Sequence, residues 1–392
     1  FVLLRDRSGI VQLVAGELPE GLSTECVVSA EGTVQENPRA PGGLEVALAS
    51  IELLAPAEAD LPIPVNQAPD KLGVDTILDN RLLSLRIPQL REVFAVQSTL
   101  IAAFAEHLRG EGFTEIKTSK LIGTGTEGGT GLFRVDYFDG EVFLAQSPQF
   151  YKQAMVASGL ERVFEVAPAY RAEKHDTPRH LNEYVSLDVE LGFIDNEADL
   201  MDLEVRLLQS MVGAVVEQHP GVRGRVGSVL PDPERLLDIP RLDHGKAREI
   251  AAKQSGKRVL EINPDAERVL CDWAAEAHGI PAVFVTGFPR RKRPFYTWPE
   301  GQSTRSFDLL YGGLEITTGG QRIHRLDELD DSIQRFGLDP EALVDYRSIF
   351  RYGCPPHGGF AIGLERLTQK ICGLESVKLA SAFPRDRNRT RP

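Results

Sequence analysis

Between residues 184 and 190 the hydrophobic and polar positions alternate strictly. Tyr184, Ser186, Asp188 and Glu190 are separated by Val185, Leu187 and Val189, a period of two that predicts a β-strand. FEVAPAYRAE, ending at Glu173, predicts the strand before it, so the polar residues between form the turn of a long antiparallel hairpin. Such a hairpin would display Arg171, Glu173, Asp188 and Glu190 from its floor and carry Lys174, His175, Arg179 and His180 on a mobile flap. Taken alone, the pattern fits equally a surface hairpin with a solvated charged turn.

The same reading divides the rest of the chain. Residues 1 to about 55 hold short apolar runs, FVLLRD, IVQLVAG, ECVVSAEGTVQ and LEVALASIELL, cut by glycine turns that include Pro41-Gly42-Gly43. They predict a small β-barrel of the OB type, apparently without its first strand, over residues 1–56. The Pro-rich APAEADLPIPV has no periodicity and marks a hinge over 57–75. From Thr76 onwards, over 76–392, apolar residues recur at three- and four-residue spacing as far as Gly112, which predicts helix. EIKTSKLIG then reads as a strand, and EVFLAQSPQFYKQAMVASG as strand, turn and helix with Gln149 and Lys152 on one face. Residues 197–285 read mostly as amphipathic helix. SFDLL and LEITTGGQRI are two strands that bring Asp308, Glu315, Thr318 and Arg322 close, and PPHGGFAIGLERLTQKICG is a strand entering a helix near Gly363, with Arg366 in its first turn.

Composition adjusts this picture only in places. At 392 residues and 42% hydrophobic content the chain is long enough for two or three domains with a sizeable core. A net charge of −13 speaks against a polyanion partner, unless contact is confined to patches such as Arg290, Arg291, Lys292 and Arg293 or Arg385, Arg387, Arg389 and Arg391. Four scattered cysteines without a CxxC pair argue against structural zinc and for a reducing cytoplasm. No apolar run approaches bilayer length, and the opening on Phe1 suggests a trimmed start. The glycine-rich GTGTEGGTGLF has neither Rossmann nor Walker spacing.

Together these stretches resemble the class II aminoacyl-tRNA synthetases, in particular aspartyl-tRNA synthetases of the compact archaeal and eukaryotic type. RGEGFTEIKTSK resembles motif 1, with Ser119 where the family usually has proline; the long hairpin resembles motif 2, and GGFAIGLER motif 3. The ending FPRDRNRTRP also resembles the aspartate branch, and the larger bacterial insertion between motifs 2 and 3 has no room here. The resemblance covers essentially the whole chain. It implies an α+β protein, an OB-type barrel followed by an antiparallel sheet flanked by helices, paired as a homodimer through motif 1.

It also implies roles. Arg171 would clamp the α-phosphate of ATP and the α-carboxylate of L-aspartate, and Arg366 the γ-phosphate end, as planar guanidinium forks suit. Glu173 would accept from the adenine amino group, with Arg179, His180, Leu181 and Gly363 about the nucleotide. Asp308, Glu315 and Thr318 would hold Mg2+. Lys152 and Arg322 would take the side-chain carboxylate, with Thr318 beside them, Glu127 and Gln149 at the α-amino end and Asp188 pairing the ammonium. Asparagine would leave the buried lysine unmatched, at roughly 3–5 kcal/mol. Phe1, Arg5, Gln12 and Glu45 would read the anticodon by stacking and base-edge bonds. Pro41-Gly42-Gly43, where discriminating relatives tend to have Lys, would leave both tRNA(Asp) and tRNA(Asn) as substrates. An asparaginyl-tRNA synthetase, a synthetase-like asparagine synthetase and a non-catalytic RNA-binding paralogue are the rival readings.

Overall fold

The computed structural model describes residues 1–123, 131–174 and 176–391. These divide into two compact units, Phe1–Asn66 and Gln67–Pro392, so the expected hinge straddles the division.

In the first unit the four predicted strands, β1 (Val2–Arg5), β2 (Ile10–Val14), β3 (Val27–Glu36) and β4 (Leu44–Ala55), pair into one sheet of order β1-β2-β4-β3. The β2–β4 pair is parallel and the others antiparallel. Leu3 lies opposite Gln12, Gln12 opposite Glu45, and Glu45 opposite Gln35, which puts these residues on one face; Leu13, 1% exposed, points the other way. Before β4 the chain turns at Pro41–Gly43, with Gly42 and Gly43 both left-handed at φ 73° and 76°.

The second unit starts with short helices α1 (Val74–Asp79) and α2 (Arg81–Ser84) and the long α3 (Pro88–Gly110). Pro88 sits in the first turn of α3, where a missing N–H is tolerated, and Leu90, Val93, Leu100, Phe104 and Leu108 give it one buried stripe. The stretch predicted as one strand next is only β5 (Thr114–Glu115) and β6 (Leu121–Ile122). Between them the Thr118 N–H and hydroxyl and the Lys120 ammonium donate to the Glu165 carboxylate, a side chain standing in for ladder partners.

Then come β7 (Arg134–Tyr137), β8 (Gly140–Leu144), α4 (Gln149–Met155), β9 (Arg162–Tyr170) and β10 (Glu183–Gly192). The helix α5 (Glu197–Gln218) opens on a capping box between Asn196 and Asp199. It is followed by β11 (Arg241–Asp243), α6 (His244–Ser255), α7 (Pro264–His278), β12 (Ala282–Thr286), the small pair β13 (Pro299–Glu300) and β14 (Ser303–Thr304), β15 (Ser306–Tyr311) and β16 (Leu314–Gln321). Last are α8 (Leu326–Arg335), α9 (Val344–Arg351), β17 (His357–Gly363) and α10 (Leu364–Cys372).

Eight strands form the main sheet in the order β11-β12-β15-β16-β17-β10-β9-β5, antiparallel except at its two edge pairs. Leu187 and Val189 of β10 enter a core with Phe104, Phe164, Leu208, Met211 and Phe360. The alternate residues Ser186, Asp188 and Glu190 are buried as well, so the polar half of the period-two pattern faces not water but a second interior.

Candidate active site

That second interior is a cavity of about 360 Å3, within the range of ligand pockets. Gln149 and Lys152 reach it from the first turn of α4, and Asp188 from β10. Arg171, Glu173, Arg179, His180 and Leu181 come from the loop joining β9 to β10. Glu315, Thr318 and Arg322 come from β16 and its end, and Gly363 and Arg366 from the β17–α10 junction. Lys152, Arg171, Arg322 and Arg366, dispersed along the chain, therefore share one wall system. Glu127 and His175 lie outside the described residues.

Around Lys152 and Arg322 charge is balanced inside the protein. Lys152 Nζ donates to Asp188 Oδ1 at 3.0 Å, Val189 O at 3.3 Å and Phe360 O at 3.4 Å, and lies 3.2 Å from Glu190 Oε2. Arg322 donates to both oxygens of Glu190 at 3.0 and 3.3 Å and to Gly359 O at 2.9 Å. Burial opposes the Glu190 charge, but Arg322 and Lys152 outweigh it and hold the carboxyl below its usual range. Lys152 and Arg322, expected to take a side-chain carboxylate, thus meet two carboxylates of the protein before any ligand enters. Asp188, expected to face a substrate ammonium, spends Oδ1 on Lys152. Its Oδ2 remains a buried acceptor with no hydrogen-bond partner, and Gln149 Nε2 is a buried donor in the same condition.

Gly359 makes this packing possible, because a Cβ there would fall 2.1 Å from both Glu190 Oε2 and Val189 O. Behind it, His357 Nε2 lies 3.0 Å from Gln153 Oε1, which also accepts from the Tyr346 hydroxyl at 2.9 Å. Burial pushes His357 down to about 4 and keeps the ring neutral.

At the other end, Arg366 Nη1 donates to Glu315 O at 2.9 Å and faces Glu315 Oε1 at 3.5 Å. Arg171 lies over the Tyr184 ring and 3.9 Å from Glu173. The loop expected to be a mobile flap is anchored instead. Asp176 accepts from Lys378 at 2.7 Å and Asn388 at 2.9 Å, Asn182 N–H donates to Arg385 O at 2.8 Å, and Arg179 is bonded to Glu267 of α7. The arginine-rich segment after residue 384 is correspondingly less available for nucleic acid: Arg389 pairs with Asp79 at 2.7 Å. Fully buried Arg81 donates to the carbonyls of Leu379, Ser381 and Ala382.

The expected Mg2+ set is only partly on the cavity wall. Glu315 and Thr318 line it, whereas Asp308 sits behind, 2.8 Å from Arg293 Nη2. Desolvation pushes Asp308 up to about 7 and the neighbouring Glu315 adds to this despite Arg293. Two carboxylates that repel one another beside a hydroxyl suit an oxygen-seeking cation that takes its other ligands from phosphate and water. Among the described residues no trio of His, Cys, Asp or Glu is grouped for a metal.

Three residues escaped the sequence reading. Arg293, stacked 3.7 Å from the Phe288 centroid, belonged to a basic run read as a candidate contact for a polyanion and not as a buried group. Glu365 carries both oxygens to the Val185 N–H at 3.1 and 3.0 Å, and burial pushes it up to about 7. Glu267 lies in helices that carried no chemical signal.

In the first unit Gln12 donates to Glu45 at 3.0 Å and Arg5 pairs with Glu25 at 2.6 Å, while Phe1, just before β1, is 86% exposed. Asn37 also donates to Glu45, at 2.7 Å.

A family model for tRNA synthetases class II (D, K and N) matches residues 73–387. An aspartate–tRNA(Asp/Asn) ligase of Thermus thermophilus is 49% identical over 394 residues, covering 100% of this chain and 92% of that protein. Its counterpart in Deinococcus radiodurans is 46% identical over 402 residues, with the same coverage. Among solved structures, asparaginyl-tRNA synthetase from Pyrococcus horikoshii complexed with asparaginyl-adenylate superposes with a TM-score of 0.90 at 32% identity, covering 100% of this chain and 92% of that one.

Proposed function

Since this chain belongs to the class II tRNA synthetases (D, K and N), we propose that it is an aspartate–tRNA ligase. It joins L-aspartate to AMP at the expense of ATP and passes the aspartyl group to the 3′ end of tRNA(Asp) and tRNA(Asn). The observation that carries this reading is the pairing of an unmet acceptor, Asp188 Oδ2, with an unmet donor, Gln149 Nε2, beside the Lys152–Glu190–Arg322 lattice. A zwitterion with a second carboxylate satisfies all of them.

The charge count selects aspartate over asparagine. With the substrate ammonium on Asp188, three cations (Lys152, Arg322, ammonium) face three anions (Asp188, Glu190, side-chain carboxylate); asparagine leaves three against two. An uncompensated buried charge costs roughly 3–5 kcal/mol. Arg171 neutralises the α-carboxylate and the α-phosphate, two anions that otherwise repel, so that a carboxylate oxygen attacks the α-phosphorus in line and pyrophosphate leaves. Arg366 and Arg179 hold the outer phosphates, and Glu173, His180 and Leu181 enclose the adenine. The tRNA 3′-hydroxyl then attacks the acyl carbon and AMP departs. Mg2+ bound by Glu315, Asp308 and Thr318 would neutralise phosphate charge.

Residues 1–56 serve as the anticodon module, with Phe1 for stacking and Arg5, Gln12 and Glu45 for base edges; 57–75 act as the hinge and 76–392 as the catalytic unit. Left-handed Gly42 and Gly43 leave no long side chain in the turn before β4, which favours acceptance of both tRNAs. Two copies pair through motif 1, along the groove of Ile101, Ala105, Arg109, Glu115 and Lys117 at the β5 edge of the sheet. A cytoplasmic site fits four free thiols and the lack, among the described residues, of a helix long and apolar enough to cross a membrane. Pyrophosphate exchange with aspartate and with asparagine tests the reaction. Exchange driven by aspartate is expected; exchange driven only by asparagine, or by neither, overturns it. Charging of the tRNA(Asn) transcript within about a thousandfold of tRNA(Asp) tests the wider range.

A further inference from the structure

Arg179 and Arg366 approach the cavity from different parts of the fold, one from the loop between β9 and β10 and one from the first turn of α10. Two residues, Glu267 and Glu315, connect them. Glu315 donates its backbone N–H to Glu267 Oε2 at 3.0 Å, and its carbonyl accepts from Arg366 Nη1 at 2.9 Å. The same Glu267 oxygen accepts from Arg179 Nη2. The β15–β16 register shifts just before Glu315 pairs with Leu310, which is where a strand N–H comes to need a partner outside the ladder. Glu267 supplies it from the buried side of α7 and lies just outside the cavity wall.

We propose that Glu267 is a positioning residue for nucleotide binding: it holds Arg179 against the backbone of Glu315, and so sets the separation of Arg179 and Arg366 before ATP arrives. The inference rests on the reading of this cavity as the ATP site. One nitrogen of Arg179 is engaged by Glu267, so the other donors of the guanidinium are available to phosphate. Without Glu267 the side chain would have to be ordered at the moment of binding, and affinity would fall accordingly.

The test is ATP affinity by calorimetry on the full chain, without amino acid, for wild type and Glu267→Gln. The glutamine oxygen still accepts the Glu315 N–H, so the strand stays held while the negative charge facing Arg179 is lost. The expected result is about tenfold weaker ATP binding, as for loss of one charged hydrogen bond, with an unchanged KM for aspartate in pyrophosphate exchange. Arg179→Gln in the Glu267→Gln background should be no worse than Arg179→Gln alone, because both remove one arrangement. ATP affinity equal to wild type in Glu267→Gln, or losses that multiply in the double variant, overturns the proposal. A wild type that binds ATP but shows no aspartate-dependent exchange would instead overturn the proposed reaction and leave this inference standing. If Glu267→Gln melts well below wild type, Glu267→Asp provides the second measurement: it keeps the charge one methylene short, and ATP affinity between those of wild type and Arg179→Gln is required.

Discussion

Lys152 is 2% exposed and lies against two carboxylates, so its removal acts on stability as well as on the substrate. Lys152→Met should leave Glu190 to Arg322 and take from Asp188 the cation it faces, and destabilise the fold by about 3–5 kcal/mol, read in urea unfolding, while abolishing aspartate-dependent exchange. The thiols give an independent check at the same scale. Ser23 bonds to Cys26 and lowers its pKa, whereas burial pushes Cys271, Cys354 and Cys372 up to about 12. Iodoacetamide at neutral pH should therefore alkylate Cys26 first, as peptide mass spectrometry would show. Gln149, Lys152 and Asp188 were legible because helical and strand periods decide which way they point. That Glu190 neutralises the pocket's own cations was not, since it depends on how closely β10, β17 and α4 approach, which no local pattern encodes.

Among the elements, β10 and β17 were readable and the edges were not. Alternation and glycine spacing mark long strands, but β5 and β11 are two- and three-residue segments whose pairing comes from distant chain. Close approach makes β17 intolerant: Gly359→Ala would drive a methyl into Val189 O and Glu190, so destabilisation at or beyond the upper end of the roughly 1–3 kcal/mol for overpacking is expected in thermal melts. The helix α5 holds a different liability beneath the sheet. Burial pushes Glu204 up to about 8 from an ordinary 4.5, the neighbouring Thr317 hydroxyl opposing it only in part and Asp308 adding to it. The folded state thus keeps a proton that the unfolded chain loses first. This contribution is whole below pH 4.5 and declines up to about 8, by about 1.4 kcal/mol per pH unit. Glu204→Gln should match wild type in urea unfolding near pH 5 and exceed it increasingly towards pH 8; parallel curves would contradict the assignment.

For the whole molecule, a net charge of −13 combined with a polyanionic substrate makes tRNA binding a matter of local patches. Several candidate arginines are already committed, Arg293 to Asp308 and Arg389 to Asp79, and Lys292 pairs with Glu261 at 2.7 Å. Aminoacylation should consequently lose tRNA affinity with salt while pyrophosphate exchange, confined to the buried cavity, changes little; equal sensitivity of both would contradict this division. The order of the three motifs made the class and the large sheet legible from sequence. The anchoring of the β9–β10 loop was not, because its partners Lys378 and Asn388 lie some two hundred residues downstream.

That strap has a consequence during synthesis. Apart from Val377, the residues that line the cavity precede the end of α10, yet the ties to Asp176 and Asn182 come from residues 378–388. A chain stopped before residue 378 has a complete sheet and a nucleotide loop that lacks its ties to Lys378, Arg385 and Asn388. Loss of residues 378–389 would thus act on the nucleotide loop while leaving every strand of the main sheet in place.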